Sequence, residues 1–316
     1  MDRALAVEEA LPPCKAEHAL VPDVGVDVEA LLTAEAKTHE SLRTNIVTGK
    51  RERVPQGVEL EVRDIREPLD DVADALRPEA IVHLAAQIDV RESVRDPVAD
   101  AEVNVLGTVR ILEAARAHDA QVVFSSSGGA IYGECEEPAT EDAALRPVSP
   151  YGTSKLAAEE YLRTFNRLHG TQHVSLRYAN IYGPRQDPKG EAGVVAIFLG
   201  ALRAGEAPLI FGDGLQVRDY VYVGDTARAT LDALGQEGGV FNVGTGTGTS
   251  VVELFERCRA VAGSSVEAVH VEPRLGELAR SVLDAERAAT ELGFRAMVGL
   301  EDGLEATYAW LTSRKE

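Results

Sequence analysis

Residues 121–133 read QVVFSSSGGAIYG, an apolar run that breaks into hydroxyls and glycines. A short apolar run of this kind is typical of a strand buried in a parallel sheet, and the serines and glycines after it predict a tight loop. Loops at the carboxyl ends of such strands are where open α/β sheets bind ligands. Serines also bond to their own backbone as turn formers, so this stretch alone leaves a structural and a catalytic interpretation open.

A segment downstream, Tyr151 with Lys155, carries the pattern of a general base. A spacing of four residues in a helix stacks the phenol and the ammonium on one face. A tyrosine in water ionises near pH ~10, and a close positive charge favours the phenolate. The pair therefore predicts a Tyr151 pKa lowered toward the range of a general base. On its own, the same spacing more often marks an ordinary helix surface.

Strand and helix patterns alternate along the chain, which predicts a parallel sheet flanked by helices. The predicted strands are 58–62, 80–84, 121–125 and 174–178, and the helices between them include 100–117 and 153–168. After Tyr182, prolines and glycines punctuate shorter elements, which predicts a mixed α/β region that runs to Trp310. We place the domain change near Asn180.

Composition bounds the class of protein. A chain of 316 residues, 45% of them hydrophobic, can bury a sizeable core. Its formal net charge of -20 argues against nucleic-acid binding, although local arginines can still bind a small anion. The cysteines, Cys14, Cys135 and Cys258, form no metal-binding pattern and fit a reducing cytoplasm. The longest apolar run, around residues 193–202, is too short to cross a bilayer, so we expect neither a metal site nor a membrane anchor.

Ordered motifs run from about Asn45 to the C-terminus. They are HLAAQ at 83–87, Asn104 with Gly107 and Thr108, the serine loop, the Tyr151 segment, LRYANIYGPRQ at 176–186, GDG at 212–214, VRDYV at 217–221 and FNVGTG at 241–246. Together they resemble the extended short-chain dehydrogenase/reductases, and within them the UDP-glucose 4-epimerase-like nucleotide-sugar epimerases.

The resemblance implies a fold and a division of the chain. The fold is a Rossmann-like doubly wound parallel sheet with a smaller mixed α/β substrate-binding part at the C-terminus. Residues 1–44 form an atypical N-terminal segment, 45–180 the dinucleotide-binding domain, and 181–316 a nucleotide-sugar-binding part interleaved with it. The expected assembly is a homodimer built on the helices that begin at Asp100 and Thr153.

The resemblance also implies a cofactor, NAD, and a reaction, interconversion of a UDP-hexose at C4 through a 4-keto sugar. Tyr151 would take the proton from the 4-hydroxyl, and Lys155 would hold down the Tyr151 pKa and bond the nicotinamide ribose. Ser127 would orient the reacting oxygen and so contact the substrate. Counting back from Tyr132, the family's Ser or Thr can instead fall on Gly128, so the choice within residues 125–128 stays open.

Binding residues follow by position in the motifs. On the substrate side, Asn180 and Arg218 match diphosphate contacts, and Arg274 resembles a further phosphate or uridine contact. On the cofactor side, Tyr151 and Lys155 are joined by Asp64, Ile65, Leu84, Ala85, Ala86 and Asn104. Each assignment has a structural alternative. The arginines can form surface ion pairs, Asp64 can simply end a strand in a turn, and the alanines can be ordinary packing residues. His83 lies within an apolar strand, which predicts a core histidine rather than a base.

The first 44 residues depart from the family. No G-x-x-G-x-x-G turn is present, and the nearest candidate is a strand at 19–21, a turn at 22–25 and a helix at 27–37. Pro22 and Asp23 in that turn oppose binding of a diphosphate. Residues 38–45 are too polar for a central strand, and Thr44 stands where a ribose-binding carboxylate is expected.

Two other functions remain open at this stage. The missing glycine turn favours a non-catalytic or cofactor-impaired homologue that binds a nucleotide sugar or a partner subunit. The same scaffold also carries nucleotide-sugar dehydratases and reductases. Dehydratases of this group are expected to have acidic residues after the catalytic Ser or Thr, and Gly128 and Gly129 stand there instead.

Overall fold

The computed structural model describes residues 63–186, 193–274 and 276–313, together with two strands near the N-terminus. The strands are β1 (His18–Leu20), β2 (Ser41–Arg43), β3 (Ala80–His83), β4 (Gln121–Ser127), β5 (Val174–Tyr178), β6 (Asn180–Tyr182), β7 (Leu209–Phe211), β8 (Val217–Tyr222), β9 (Gly239–Val243), β10 (Gly248–Ser250), β11 (Val269–Val271) and β12 (Arg280–Ser281). The helices are α1 (Asp70–Leu76), α2 (Val90–Arg95), α3 (Pro97–Ala101), α4 (Gly107–Ala117), α5 (Gly128–Ile131), α6 (Pro150–His169), α7 (Val194–Ala204), α8 (Val223–Asp232), α9 (Val251–Ala262), α10 (Glu286–Glu291) and α11 (Leu300–Ser313).

A six-stranded sheet in the order β2-β1-β3-β4-β5-β9 forms the larger part. All of its pairs are parallel. The central strands are buried on both faces, with β4 and β5 supplying Val122, Phe124 and Leu176 to the cores that the flanking helices cover. The predicted parallel sheet with helices around it is therefore confirmed.

The strand order reverses at β1, because β2 lies on one side of it and β3 on the other. In open α/β sheets, ligands bind outside the carboxyl ends of the strands at such a reversal. The loops after β3 and β4 end near this crevice and carry the predicted cofactor and catalytic residues.

The N-terminal strands correct one expectation. The strand predicted at 19–21 is present as β1, one residue earlier, and it pairs with β3. The polar segment at 38–45 also contains a strand, β2, which the sequence did not predict. Among the described strands, β2 pairs with β1. The turn predicted at 22–25, the helix at 27–37 and the strand at 58–62 lie outside the described residues.

Two helix predictions need new limits. The helix predicted at 100–117 is interrupted, because α3 is joined to α4 by a π-helical turn, Glu102–Leu106. The helix predicted at 153–168 begins earlier, at Pro150, where the Ser149 hydroxyl caps it. It ends at Gly170, whose φ of 69° gives the left-handed cap that glycine favours.

The smaller part is built around β8. This strand pairs with β6, β10 and β12, and a separate two-stranded sheet joins β7 to β11. Helices α7, α9 and α11 cover the core beside it, with Phe198 and Phe255 in edge-to-face contact. Between these elements the chain returns to the large sheet as β9. The predicted limits of the parts at residues 44 and 180 stay a prediction.

None of the helices in the described ranges has the length and apolar character needed to span a membrane.

Candidate functional site

The start of α6 fixes the backbone of Tyr151. Ser149 accepts a hydrogen bond from the Gly152 N–H at 3.2 Å, and Pro150 stands in the first turn, where a missing N–H has no cost. The Tyr151 N–H donates to the hydroxyl of Ser93 at 3.1 Å, and Ser93 on α2 is fully buried. The Ser149 cap and the contact with Ser93 on α2 therefore fix the backbone position of Tyr151, from which its side chain extends.

Lys155 lies one turn further along α6 and is buried. Its ammonium donates to the Ser125 carbonyl at 2.8 Å, which ties α6 to the end of β4. The Nζ atom lies 4.8 Å from the centroid of the Phe124 ring and 5.9 Å from that of the Tyr151 ring. The predicted proximity of phenol and ammonium is present.

Burial controls the ionisation of both groups. It lowers the pKa of Lys155 to about 7, against the opposing charges of Asp100 and Glu159. It raises the pKa of Tyr151 to about 12; a hydrogen bond with the Ser127 side chain acts in the lowering direction and Asp100 in the raising one. Burial therefore outweighs the Ser127 hydrogen bond, and the Tyr151 pKa lies above its ordinary value. The expectation that Lys155 holds this pKa down stays a prediction.

The three serines at the end of β4 have different partners. Ser125 offers its carbonyl to Lys155, and Ser126 donates its hydroxyl to the buried carboxylate of Glu159. Ser127 is the serine whose side chain bonds to Tyr151. Of the three, Ser127 is therefore the one beside the predicted base.

Gly128 is the alternative position for the catalytic hydroxyl, and its surroundings argue against it. A Cβ built there would lie 2.5 Å from Leu283 Cδ1 and 2.8 Å from Leu283 Cδ2. A side chain at residue 128 would therefore have to displace a buried leucine. The geometry favours Ser127, whose catalytic role stays a prediction.

Asn180 begins β6 and lies beside the serine loop, since a Cβ at Gly129 would come within 3.3 Å of the Asn180 side-chain oxygen. Through the pairing of β6 with β8, Asn180 is in register with Tyr220. Arg218 lies two residues before Tyr220 on β8. The fold thus places Asn180 and Arg218 on two paired strands, and the binding of substrate by either residue stays a prediction.

The two predicted phosphate-binding arginines have protein partners. Arg218 donates to the Val217 carbonyl at 2.8 Å and lies 3.7 Å from a Glu277 carboxylate oxygen. The guanidinium of Arg274 stacks on the Phe211 ring, 3.7 Å from its centroid. Both contacts are near the surface, where such interactions are weak enough for a phosphate to compete with them.

The loop after β3 contains the predicted cofactor residues Leu84, Ala85 and Ala86. The Leu84 side chain is fully buried in the core, while the two alanines are partly buried. Asn104 holds this loop: its amide oxygen accepts from the Gln87 N–H at 2.9 Å, and its nitrogen donates to the Gln87 carbonyl at 2.9 Å. Asn104 therefore shapes the loop, and its own contact with a cofactor stays a prediction.

Asp64 and Ile65 differ in their surroundings. Asp64 forms an ion pair with Arg66, whose hydrogen bonds lower the Asp64 pKa. Ile65 is buried against α4, where a Cβ at Gly107 would lie 2.6 Å from Ile65 Cδ1. Asp64 lies in a turn, which is the structural alternative named for it above. The proximity of Asp64 and Ile65 to the adenine of a cofactor stays a prediction.

His83 is a core histidine, as predicted. Its Nε2 lies 2.9 Å from the Thr108 hydroxyl, which itself donates to the Asn104 carbonyl, so Nε2 carries the proton. Burial and the nearby Lys155 charge lower the pKa of His83 to about 3. His83 is therefore neutral under physiological conditions and does not serve as the base.

Comparison with known proteins identifies the family. The sequence profile of the NAD dependent epimerase/dehydratase family matches residues 28–244, well over half of the chain. The chain belongs to that family. The match also begins before Asn45, so the family resemblance extends further toward the N-terminus than the motifs indicated.

Individual members of this epimerase/dehydratase family are similar over most of their length. A UDP-glucose 4-epimerase of Mycolicibacterium smegmatis is 48% identical over 244 residues, covering 76% of this chain and 78% of the relative. The solved UDP-glucose 4-epimerase of Thermotoga maritima with UDP-glucose has a TM-score of 0.90 at 39% identity, covering 94% and 99% of the two chains. The Thermus thermophilus enzyme with NAD has a TM-score of 0.87 at 41% identity, covering 93% and 99%. The predicted family and Rossmann fold are confirmed.

NAD is the cofactor of this epimerase/dehydratase family, and the described residues fit it. The strand order reverses at β1, the loop after β3 carries the small, partly buried residues Ala85 and Ala86, and Lys155 uses one of its three donors on Ser125. The remaining donors suit ribose hydroxyls. The turn at 22–25, where the glycine pattern is missing, lies outside the described residues.

The motifs did not single out a buried network behind the serines. Arg177 and Glu159 are both fully buried, and Arg177 Nη2 donates to Glu159 Oε2 at 2.6 Å. Arg177 also donates to the Tyr132 hydroxyl at 2.7 Å, which donates to Asn242 on β9 at 2.7 Å. The signal was available for one member, because Glu159 follows Lys155 by one helical turn.

Proposed function

We propose that this protein is an NAD-dependent epimerase that interconverts nucleotide sugars at C4, of the UDP-glucose/UDP-galactose type, and so acts in carbohydrate metabolism. One observation carries the proposal: Tyr151, Lys155 and Ser127 meet at the end of β4, beside the reversal of strand order. The family and the UDP-glucose 4-epimerases similar to this chain support it.

In the proposed reaction, Tyr151 removes the proton of the sugar 4-hydroxyl and later returns it to the 4-keto oxygen. Ser127 bonds to the same oxygen and orients it, and the Lys155 charge stabilises the phenolate. NAD, when bound, supplies the hydride acceptor and donor. Because hydride leaves and returns, the sugar is not oxidised overall, and turning of the keto sugar between the two transfers inverts C4.

The diphosphate of the substrate is assigned to Arg218 and Arg274, with Asn180 beside the serine loop. Arg218 offers a forked set of donors that matches phosphate oxygens, and the Glu277 carboxylate would have to give way to them. Phe211 would keep the Arg274 guanidinium extended. These roles agree with the position of each residue in the family motifs.

The activity is tested by incubating the purified protein with UDP-galactose, with and without added NAD, and following UDP-glucose formation. Bound dinucleotide is measured separately by absorbance after denaturing release. We expect epimer formation that depends on NAD. If the protein binds the nucleotide sugar but does not bind NAD and forms no epimer, the proposal is contradicted. That result would favour the non-catalytic homologue.

The dehydratase alternative is disfavoured at a specific position. Gly128 follows Ser127, and the space where its side chain would begin is filled by Leu283. An acidic residue for elimination cannot be placed there without moving the core. We expect no 4-keto-6-deoxy product in the same assay.

We also infer a homodimer, built on the helices predicted to begin at Asp100 and Thr153. Leu106, Tyr161 and Leu168 are exposed apolar side chains of these two segments, and Val90, Val94 and Val98 are exposed just before the first of them. Exposed apolar side chains are typical of a subunit interface. A monomeric mass in light scattering would contradict it. The cytoplasmic location stays a prediction; Cys135 and Cys258 are free thiols.

A further inference from the structure

Asp100 on α3 is a buried carboxylate that the proposed reaction does not use. It is 1% exposed, and its Oδ1 accepts hydrogen bonds from Gln87 Nε2 at 2.8 Å and Asn104 Nδ2 at 3.0 Å. Its Oδ2 is buried without a hydrogen-bond partner among the described residues. An unsatisfied buried oxygen on a charged group is costly, so its retention needs an explanation.

Helix α3, which carries Asp100, packs against α6, which carries Tyr151 and Lys155. The Asp100 carboxylate is close enough for its charge to act on both side chains. The charge of Asp100 favours the protonated form of both Lys155 and Tyr151. Asp100 and Glu159 are the two carboxylates that counter the burial of Lys155, and Glu159 is also committed to Arg177. Within the described ranges, no ion pair joins Asp100 to an arginine or a lysine in this way.

The other charged groups around α6 do not replace it. From β3, His83 is neutral, and from β5, Arg177 is paired with Glu159. The charged residues on α2 and the π-helical turn lie toward solvent: Arg91, Arg95 and Glu102 are exposed, and Glu92 pairs with Arg95. Asp96, which caps α3, is exposed as well.

We propose that Asp100 is a positioning residue of the site: it fixes the loop after β3 through Gln87 and Asn104, and its charge keeps the Lys155 ammonium protonated. The proposal rests on the proposed epimerase function. Lys155 needs its proton both to stabilise the Tyr151 phenolate and to donate to a ribose. A buried ammonium without a nearby negative charge would lose that proton.

The first test measures Lys155 directly and does not depend on turnover. The chain has six lysines, so a protein labelled with carbon-13 at lysine Cε gives few signals, and Lys155→Met assigns the one of interest. We expect Lys155 to titrate near 7 in the full chain and at lower pH in Asp100→Asn. Asp96→Asn is the matched control, because it removes one negative charge from the same helix while asparagine preserves the cap.

The second test is the pH profile of epimerisation by the NAD-loaded enzyme. Loss of the Asp100 charge lowers the pKa of both Lys155 and Tyr151, so both limbs of the profile should move to lower pH, by about one unit. Glu159→Gln should move only the limb set by Lys155, because Glu159 acts on that group alone of the two. Asp96→Asn should leave the profile in place, and Asp100→Glu should restore the position of the limbs.

Several outcomes would overturn the proposal. One is a Lys155 pKa that is the same in Asp100→Asn and the unaltered protein; another is loss of activity at every pH with no shift of either limb, which indicates a structural role only. Should Asp100→Asn not fold, Asp100→Ser removes the same charge and serves in its place. A Lys155 pKa near ~10 in the unaltered chain, the ordinary value for lysine, would also refute the proposal. Absence of epimerase activity in the unaltered protein refutes the proposed function, while the Lys155 titration still decides the role of Asp100.

Discussion

The proposed catalytic edge of the large sheet and the arginines of the smaller part are held in different ways. At the edge, Lys155 is buried, bonded to the backbone of β4, and has a strongly lowered pKa. In the smaller part, Arg218 is separated from Glu277 by 3.7 Å and Arg274 rests on a single ring, both near the surface. The group proposed to act in catalysis is therefore held in position before substrate binds. The arginines proposed to bind phosphates instead have protein contacts that a phosphate can replace.

This difference has a physical reason. Proton transfer requires a base and its hydrogen-bond partner in place before the substrate arrives, since reorganisation adds to the barrier. Recognition of a diphosphate tolerates a flexible cation, because a charge-assisted bond forms over a wider range of positions. We therefore expect substitutions at the edge to lower kcat and substitutions at the arginines to raise KM.

The largest effect is expected for Tyr151→Phe. Removing the proposed base should lower kcat by about 1,000-fold or more, because general base catalysis alone contributes roughly 100- to 10,000-fold. The circular dichroism spectrum should stay unchanged, since the backbone contact of residue 151 with Ser93 is kept. Turnover of UDP-galactose is the measurement.

The control for this variant is Tyr161→Phe, which removes an exposed hydroxyl from the same helix. It should retain full activity. If Tyr151→Phe turns over at the rate of this control, the general base is a different residue. The proposal that the fixed groups at the sheet edge carry out the chemistry would then be wrong.

The next effect separates the serines. Ser127→Ala should lower kcat by about 100-fold, as expected for one donor to a developing oxyanion. Ser126→Ala removes the bond to Glu159 instead, so it should lower the free energy of unfolding by about 1–3 kcal/mol and leave kcat nearly unchanged. Kinetics and urea unfolding of the two variants side by side make the measurement, and exchanged outcomes would show that Ser126 is the catalytic serine.

A smaller effect, on affinity, is expected for Arg218→Met. Loss of a charge-assisted bond to the diphosphate should raise KM by about 10- to 100-fold with little change in kcat. Arg203→Met, at an exposed arginine of α7, serves as the control and should leave KM in place. A fall in kcat at unchanged KM would instead indicate that Arg218 acts in the chemical step. The proposed difference between the sheet edge and the arginines of the smaller part would then be contradicted.

Much of this architecture was predictable from sequence, because its signals are local. The strand at 174–178 was predicted to the residue, and the apolar run into serines placed β4 correctly at the edge of the site. Repetition of family motifs in order was enough for the family and the fold. Hydrophobic runs and short motifs carry such information without reference to tertiary contacts.

What sequence did not disclose depends on contacts between distant segments. The π-helical turn at Glu102–Leu106 accompanies bonds from Asn104 to Gln87, seventeen residues away. The raised Tyr151 pKa reflects burial, which spacing alone does not report. The sequence marks Asp100 only as the start of a predicted helix, although its carboxylate is buried and its charge acts on Tyr151 and Lys155.

The smallest expected effect concerns stability rather than catalysis, and it tests how deeply the region around Lys155 is buried. Burial and the Lys155 charge lower the pKa of His83 to about 3, below the unfolded value of roughly 6.5. Between these values the unfolded chain binds the extra proton, so the stability that neutral His83 provides is present above about pH 6.5 and is lost as the pH falls toward 3. One such group makes unfolding free energy fall by about 1.4 kcal/mol per pH unit in that window.

His83→Gln should remove this contribution, because glutamine can keep a donor toward Thr108 but does not titrate. The slope of unfolding free energy against pH, measured with urea between pH 4 and pH 6, should therefore decrease by about 1.4 kcal/mol per unit. Equal slopes in the two proteins would mean that His83 gains a proton in the folded protein as readily as in the unfolded chain. The catalytic edge would then lack the low-dielectric burial that sets it apart from the arginines of the smaller part.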